Sequence, residues 1–452
     1  MKTDRLKGVK TALVSLGCDK NRVDSEVMLG LLAGEACVFT PDLGQARVII
    51  INTCGFLKDA LDESREVIEE ALEQKRAGKC DALIVTGCAA QRHKKELFED
   101  TPEIDAILGV KEFHRITDVL EHLLGNKTDR YVDFSEDDGE EMDESLHYGR
   151  ILSTPGHYAY LKIAEGCDKK CTYCTIPKIR GPYKSRTMES LVEEARILAA
   201  GGVKELVLVA QDTTLYGMDI YGKVVLHELL RELSKIKEIQ WLRLLYCYPE
   251  NIYDELIGEI ASNPKVLPYV DMPVQHASDR ILKLMGRRGS NQELRGTINK
   301  LRKNIPDVTL RTTIITGFPG ETKMDFAELW DFVRDMRFDR LGVFTYSRED
   351  GTPADKLPDH LPQKTKDARK ERLMMAQQEI SAEILSEKLG ETLEVIVEGV
   401  AEGGIYYGRG RGDAPDMDGL VYISSDRPLE IGTFVQVCVT ESTEYDLLGE
   451  LL

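Results

Sequence analysis

Short apolar runs alternate with amphipathic stretches along most of the chain, and this alternation constrains the fold more than any other feature. In the first 126 residues, the runs Lys10–Leu16, Val48–Ile51 and Ala82–Val85 have the composition of buried strands. The segments that follow them carry apolar residues at helical spacing, as in Asp62–Leu72. Strands that alternate with helices form parallel sheets covered by helices. The pattern predicts a doubly wound α/β domain at the N-terminus.

A second series of strands and helices begins near residue 150. Its six strand candidates are fewer than the eight of a closed α/β barrel. We therefore expect an open, partial (β/α)6 barrel. The predicted strands are Tyr158–Ala164, Glu205–Val209, Trp241–Tyr246, Tyr269–Pro273, Thr309–Ile315 and Leu341–Thr345.

Two other kinds of segment complete the chain. Ser135–Glu144 has seven acidic residues in ten, a composition typical of a solvated linker. After a charged helical stretch at Ala368–Lys388, short alternating runs with glycine-rich turns predict a small antiparallel β-barrel. We expect five parts: an N-terminal domain (1–134), an acidic linker (135–148), the partial barrel (149–375), a connecting helix (376–390) and the β-barrel (391–452).

Charge and cysteine content narrow the class of protein. A formal charge of −19 over 452 residues argues against a broad surface for nucleic acid, so we expect no direct nucleic-acid binding. No apolar run approaches the length needed to span a membrane, and no signal-peptide pattern follows Met1. We expect a cytoplasmic protein without membrane contact. In that reducing compartment, ten cysteines indicate metal binding, catalysis or burial instead of disulfides.

Cys167, Cys171 and Cys174 form a CxxxCxxC loop directly after the first strand of the second series. Three thiolates on one loop can hold three irons of a cubane and leave the fourth iron without a protein ligand. The alternative is a buried helix with the three cysteines on one face. Glycine, proline and charged residues oppose it, namely Gly166, Pro177 and the residues between the first two cysteines. Zinc is a further alternative, but structural zinc takes four ligands and no fourth Cys or His lies close in sequence. We interpret the loop as a 4Fe–4S site with one open iron.

Cys18, Cys54 and Cys88 each follow a predicted strand of the N-terminal domain. Ligands of open α/β sheets bind beyond the carboxyl ends of the strands, and neighbouring strands lie about 4.8 Å apart. These three cysteines are therefore predicted to hold a second cluster, although burial is the favoured reading for any one alone. His276 also follows a strand, and for it a cavity-facing role and a structural role both stay open. The remaining cysteines are expected to be structural: Cys37, Cys80, Cys247 and Cys438.

The CxxxCxxC motif resembles that of the radical S-adenosylmethionine (SAM) superfamily. In that superfamily the open iron binds the amino and carboxylate groups of SAM, and an electron from the cluster releases a 5′-deoxyadenosyl radical. The resemblance implies that Tyr173 contacts the adenosyl group. It also implies cofactor contacts for Gln211, Arg311, Gly317 and Pro319, which stand after strands or on one.

The whole layout resembles the methylthiotransferases of that superfamily. The resemblance implies that the cluster of Cys18, Cys54 and Cys88 carries sulfur on its open iron. One SAM would methylate this sulfur, and a second would be cleaved at the other cluster. Two 4Fe–4S clusters and two SAM per turnover are thus expected. A sulfur source and a low-potential electron donor are expected as partners.

Four stretches resemble the branch of that family that modifies an aspartate β-carbon of ribosomal protein uS12. Residues 391–452 contain 13 Asp and Glu against 3 Arg, a net charge of −10, which repels phosphate and suits a basic protein. Modification of a tRNA adenosine and a non-catalytic iron–sulfur carrier remain the alternatives. Asp19 departs from the family, which more often has Pro there. The stretches are Val14–Arg22, Tyr158–Glu165, Pro273–Ala277 and Asp413–Gly419.

Overall fold

The structure is a computed structural model that describes residues 5–125, 130–134 and 143–452. It divides into two compact units, and the CxxxCxxC loop contributes to both. The first unit comprises the described residues up to Ser153 together with Ala164–Lys169 and Cys174–Glu194. The second comprises Thr154–Ile163, Lys170–Tyr173 and Ala195–Leu452.

The first unit contains a parallel sheet of six strands. In chain order they are β1 (Lys10–Ser15), β2 (Val38–Phe39), β3 (Val48–Thr53), β4 (Ala82–Gly87), β5 (Ala106–Leu108) and β6 (Tyr131–Asp133). Their order across the sheet is β2-β1-β3-β4-β5-β6. Strands β3 and β4 are buried along their whole length, as expected for central strands covered on both faces.

Helices cover both faces of this sheet, which confirms the predicted doubly wound α/β fold. Ile50 and Ile84 face one helical layer, whereas Ile49 and Val85 face the other, because successive side chains of a strand point to opposite faces. The first layer contains α1 (Asp19–Gly34) and α5 (Ile116–Gly125), and the second contains α2 (Lys58–Arg76) and α4 (Lys94–Asp100). The helices are α1 (Asp19–Gly34), α2 (Lys58–Arg76), α3 (Cys88–Arg92), α4 (Lys94–Asp100) and α5 (Ile116–Gly125).

The predicted acidic linker, residues 135–148, lies mostly outside the described residues, which exclude 135–142. Its last residues belong to a 3-10 helix at Glu144–Gly149. The Glu144 carboxylate accepts hydrogen bonds from the backbone N–H and the hydroxyl of Thr187. The described end of the predicted linker therefore packs on the first unit.

The second unit contains another six-stranded parallel sheet. It consists of β7 (Tyr158–Lys162), β10 (Glu205–Val209), β11 (Trp241–Leu244), β12 (Val266–Asp271), β13 (Thr309–Thr316) and β14 (Arg340–Thr345). The strands follow one another in chain order from β7 at one edge to β14 at the other, and the edges do not pair. This confirms the open, partial barrel. Between β7 and β10 in sequence, β8 (Ala164–Glu165) and β9 (Lys184–Ser185) form a small antiparallel sheet of the first unit.

Helices connect these strands, and two of them begin with reciprocal capping boxes. Ser290 and Glu293 cap α12, and Thr322 and Asp325 cap α13, so that backbone N–H groups left free at the helix start are satisfied. No helix within the described ranges is both long and apolar enough to cross a bilayer. The helices are α6 (Ile176–Arg180), α7 (Met188–Ala200), α8 (Met218–Tyr221), α9 (Leu226–Ser234), α10 (Asp254–Ser262), α11 (Asp279–Leu284), α12 (Asn291–Asn304), α13 (Lys323–Met336) and α14 (Gln363–Ser386).

The C-terminal residues form a closed barrel of five strands. They are β15 (Thr392–Val400), β16 (Tyr406–Arg409), β17 (Val421–Ser424), β18 (Phe434–Ser442) and β19 (Leu447–Leu451). The order around the barrel is β15-β16-β17-β19-β18. The barrel was predicted to be antiparallel, but the pair β17 and β19 is parallel. Strand β18 lies between β19 and β15 and is antiparallel to both, so β19 runs in the same direction as β15. Strand β17 also runs in that direction, because β16 lies between it and β15. Helix α14, which precedes the barrel, begins well before the predicted boundary at 376.

A buried group of charges joins the β-barrel to the parallel sheet within the second unit. Glu205 of β10 accepts hydrogen bonds from Arg243 Nε at 2.7 Å and from Arg409 Nη2 at 2.6 Å. Arg409 also donates from Nε to Glu398 at 2.8 Å. Burial acts to raise the pKa of Glu205, but Arg409 and Arg243 hold it down at about 2. Glu205 is therefore ionised, and it holds the barrel strand β16 against the sheet.

Candidate functional site

The three lone cysteines lie at the carboxyl ends of adjacent strands of the first unit. Cys18 is the N-cap residue of α1 just after β1, Cys54 directly follows β3, and Cys88 begins α3 after β4. Strands β1, β3 and β4 are neighbours in the sheet. The structure thus brings these three sequence-predicted residues to one edge of the sheet.

The turn that contains Gly17 allows Cys18 and Cys54 to approach one another. Gly17 has a φ of +87°, and a Cβ atom there would lie 2.9 Å from Cys54 Sγ. The Asn21 side-chain amide donates to the backbone carbonyls of Leu16 at 2.8 Å and Thr53 at 3.0 Å. These contacts hold the ends of β1 and β3 together and so position two of the three thiols.

Burial and neighbouring thiols raise the pKa values of Cys54 and Cys88. Burial raises the pKa of Cys88 to about 11, Arg180 opposes this, and the neighbouring Cys18 and Cys54 add to it. Burial also raises the pKa of Cys54, again with a contribution from Cys18. Three thiolates at one spot need a positive centre to balance their charge, because like charges repel.

The donor set of this site is one that a cubane takes. Cys18, Cys54 and Cys88 offer three thiols at neighbouring strand ends, and neighbouring strands lie about 4.8 Å apart. Because each cysteine of a cubane binds a different iron, three thiols on three adjacent strands fit this group.

Arg180 is a residue of this site that the sequence did not reveal. Its Nη2 lies 2.7 Å from Asn21 Oδ1 and 3.6 Å from Cys88 Sγ, and its Nη1 donates to Asp24 at 3.1 Å and to Glu165 at 2.8 Å. The side chain is 2% exposed. Because Cys88 and Asn21 are 92 and 159 residues away along the chain, no local pattern pointed to these contacts.

The CxxxCxxC loop is anchored separately in each unit. In the first unit, the Cys167 N–H donates to the Gly181 carbonyl at 3.1 Å. In the second unit, Thr172 donates from its N–H to the Met285 carbonyl at 2.9 Å and from its hydroxyl to the Leu284 carbonyl at 2.8 Å. Cys167 and Cys171 are buried, and Cys174 is half-buried. The backbone of the loop is thus held, as a cluster-binding loop requires.

Tyr173 packs against the loop that follows β13. Its ring meets the Phe318 ring edge-on, with centroids 6.3 Å apart. Gly317 and Phe318 donate their N–H groups to the Glu321 carboxylate, and Pro319 is buried beside them. The structure therefore brings Tyr173, Gly317 and Pro319 into one neighbourhood, where their contacts with SAM stay predictions.

Arg287 was also missed by the sequence reasoning and lies in this region of the second unit. Its guanidinium stacks 4.4 Å from the Tyr248 ring centroid, and Nη2 donates to the Pro273 carbonyl at 2.8 Å. Nη1 is buried and has no hydrogen-bond partner within the described residues. Burial acts to lower the pKa of Arg287, but charges that include those of Tyr173 and Cys171 raise it. Nη2 also pairs with the Glu250 carboxylate at 3.6 Å, so Nη1 is the donor of this buried cation that is left for a further anion.

Two other predicted residues, Arg311 and Gln211, lie on or just after strands of the second unit. Arg311 pairs with Asp271 at 2.8 Å and with Asp418 of the β-barrel at 3.5 Å. The contact of Arg311 with SAM stays a prediction. Gln211 lies half-buried just after β10, and its contact with SAM stays a prediction.

His276 is fully buried, and its Nδ1 accepts a hydrogen bond from the Ser278 N–H at 3.0 Å. Burial lowers its pKa to about 3. The imidazole is therefore neutral over the physiological range. Of the two roles left open by the sequence, this geometry favours the structural one.

Three family models match the chain, and each corresponds to one of its three folded parts. Residues 161–333 match the radical SAM superfamily, residues 10–109 match the uncharacterized protein family UPF0004, and residues 389–452 match the TRAM domain. A solved radical SAM methyltransferase, TsrM from Kitasatospora setae, has a TM-score of 0.56 and 16% identity and covers 88% of this chain and 80% of its own. That likeness shows the fold alone. The cysteine loop on an open parallel barrel defines a radical SAM protein.

Full-length relatives make the assignment more specific. The chain is 51% identical to the ribosomal protein uS12 methylthiotransferase RimO of Lachnoclostridium phytofermentans, over 98% of this chain and 99% of that one. RimO of Acetivibrio thermocellus is 50% identical, with 98% of each chain covered, and RimO of Clostridioides difficile is 48% identical, with 98% and 99% covered. The chain therefore belongs to the RimO family of radical SAM methylthiotransferases, which are enzymes.

Proposed function

We propose that this enzyme adds a methylthio group to the β-carbon of an aspartate in ribosomal protein uS12, with two 4Fe–4S clusters and two SAM per turnover. The carrying observation is the set Cys18, Cys54 and Cys88 at the ends of three adjacent strands. A radical SAM protein that only generates a radical needs the CxxxCxxC loop alone. A second set of three thiols supplies the site where sulfur is held for transfer.

The residues of the two sets have separate roles in this proposal. Cys18, Cys54 and Cys88 hold the cluster that carries the sulfur. The CxxxCxxC cysteines hold the cluster that binds SAM, and the bound cofactors supply the methyl group and the radical that removes a substrate hydrogen. A sulfur source and a low-potential electron donor complete the reaction.

Two side chains of the second unit orient SAM in this proposal. Tyr173, held against Phe318, offers its ring to the adenosyl group. Arg287 has a buried Nη1 without a partner in the described part of the chain, and it binds the carboxylate of SAM. The charge-assisted hydrogen bond strengthens because the site excludes water.

The surface of the β-barrel supports a basic protein as the substrate. Eight of its thirteen acidic residues are exposed, whereas Arg427 is its one exposed arginine, since Arg409 is buried and Arg411 half-buried. A surface of this charge attracts basic proteins and repels the phosphates of tRNA. The exposed acidic residues are Glu391, Glu402, Asp416, Asp426, Glu430, Glu441, Glu444 and Glu450.

Mass analysis of the two candidate substrates tests the reaction. The anaerobically reconstituted enzyme is incubated with SAM, a sulfide source and a reductant, together with either uS12 or unmodified tRNA. We expect uS12 to gain the mass of one methylthio group less the hydrogen that it replaces, and the tRNA to remain unchanged. A modified tRNA with unmodified uS12 would assign the chain the other substrate, and the absence of 5′-deoxyadenosine would indicate a non-catalytic carrier.

Iron and sulfide counting tests the two clusters. One variant replaces Cys18, Cys54 and Cys88 with Ala, and the other replaces Cys167, Cys171 and Cys174. Each variant should retain about half of the iron of the wild type. A variant that keeps all of its iron would show that its three cysteines hold no cluster, and replacing Cys37, Cys80 and Cys438 serves as the control that leaves the count unchanged.

A further inference from the structure

Arg180 contacts the sulfur of a predicted cluster ligand, although it lies outside both cysteine sets. Its Nη2 is 3.6 Å from Cys88 Sγ. Arg180 ends α6, six residues after Cys174. The same chain segment that follows the CxxxCxxC motif therefore supplies a cation to the other cysteine set, and both belong to the first unit.

The position of the guanidinium is determined by partners on α1 and β8 of the first unit. Nη1 bridges the carboxylates of Asp24 on α1 and Glu165 on β8, and Nη2 donates to the Asn21 side-chain oxygen. Asn21 in turn holds the ends of β1 and β3 through its amide nitrogen. Because each contact uses a different direction of the planar guanidinium, the side chain cannot turn away from Cys88 without losing several of them.

The chemistry of an iron–sulfur cluster gives this contact a consequence. Reduction adds a negative charge to the cluster, so a buried positive charge and a hydrogen bond to a ligand sulfur stabilise the reduced state. Arg180 is 2% exposed, so water screens its charge little. Asp24 and Glu165 offset part of that charge but lie on its Nη1, away from the sulfur.

We infer that Arg180 is a positioning residue of the cluster held by Cys18, Cys54 and Cys88, which orients Cys88 through Nη2 and raises the reduction potential of that cluster. This inference rests on the proposed function, because it requires a cluster on these three cysteines. It assigns Arg180 a role that neither cysteine set supplies.

The experiment measures that cluster alone. In the full chain with Cys167, Cys171 and Cys174 replaced by Ala, iron and sulfide are counted, and the midpoint potential is determined by a dithionite titration followed by electron paramagnetic resonance. Arg180→Gln, which removes the charge and the donor to Cys88, should shift the midpoint potential to a more negative value. Arg180→Lys keeps the charge but cannot reach Cys88 and Asp24 at once, so a smaller negative shift is expected.

Arg186→Lys is the matched control. Arg186 is likewise buried in the first unit, where it pairs with Glu194 and Ser190, and its replacement should leave the potential unchanged. An Arg180→Gln variant with full iron and an unchanged potential overturns the inference. If Arg180→Gln binds no iron, the midpoint potential of Arg180→Lys is measured instead. A potential equal to that of the wild type would then contradict the inference. If the chain with Arg180 intact binds no cubane in this background, the proposed function itself fails.

Discussion

Replacement of Arg287 by Gln should weaken the binding of SAM about 10- to 150-fold. The buried Nη1 of Arg287 has no partner among the described residues, so it is available to a carboxylate. A hydrogen bond to a charged group contributes about 1.5–3 kcal/mol, and about 1.4 kcal/mol corresponds to a tenfold change in affinity. Glutamine retains a donor but has no charge and is too short to keep the stacking on Tyr248.

Equilibrium dialysis of labelled SAM against the anaerobically reconstituted enzyme measures this loss without turnover. Arg288→Gln is the matched control, because Arg288 is the adjacent residue and is exposed. Arg288→Gln makes the same chemical change at a position that faces solvent, so the affinity of this variant for SAM should equal that of the wild type. Iron is counted in both variants, since an empty CxxxCxxC loop would also weaken binding.

One result would refute the reasoning about Arg287. If Arg287→Gln carries full iron and binds SAM as tightly as Arg288→Gln, the carboxylate is bound elsewhere. The buried guanidinium would then be a structural group that supports the loop through Tyr248 and the Pro273 carbonyl.

Three further changes test other parts of the structure. Gly17→Ala would place a Cβ atom 2.9 Å from Cys54 Sγ, so it should remove iron from the site of Cys18, Cys54 and Cys88. Iron is counted in a chain whose CxxxCxxC cysteines are replaced by Ala, and Gly34→Ala, where a Cβ atom meets open space, should leave the iron in place. Equal iron in the two variants would contradict the predicted crowding. Glu205→Gln removes the carboxylate that the buried Arg243 and Arg409 share and should lower the free energy of unfolding by about 3–5 kcal/mol in urea, against little change for the exposed Glu238→Gln. His276 has its pKa lowered to about 3 by burial, so below about pH 6.5 the unfolded chain binds a proton that the folded chain does not, and stability falls as the pH falls. His276→Gln should reduce that slope between about pH 6.5 and 4.5, and parallel slopes for variant and wild type would show that His276 does not contribute.

The central strands were predictable because of their burial. Strands β3 and β4 are covered on both faces and therefore read as continuous apolar runs. Strands β2, β5 and β6 have only two or three residues and were not predicted, because so short a run shows no periodicity. The parallel pairing of β17 with β19 was also missed, since the order of strands in a barrel is a tertiary property.

In the candidate site, too, the residues that were predictable are those marked by a local sequence pattern. The cysteines were predictable because each stands at a fixed place in its own strand–loop unit, which is a local pattern. Arg180 and Arg287 were not, because their roles depend on partners distant in sequence, such as Asn21 for Arg180. The ion pairs of Arg311 with Asp271 and Asp418 were not predictable either, because both partners are distant in sequence, and its contact with SAM stays a prediction.

The buried ion triad of Glu205, Arg243 and Arg409 restricts how the C-terminal barrel can be exchanged between relatives. A grafted barrel that lacks an arginine at the place of Arg409 would leave Glu205 facing Arg243 alone in the interior. Evolution or engineering that exchanges this barrel must therefore conserve a cation on its second strand. The exposed acidic residues, in contrast, take no part in the triad, so the surface charge of the barrel and its attachment are separable properties of the same sixty-odd residues.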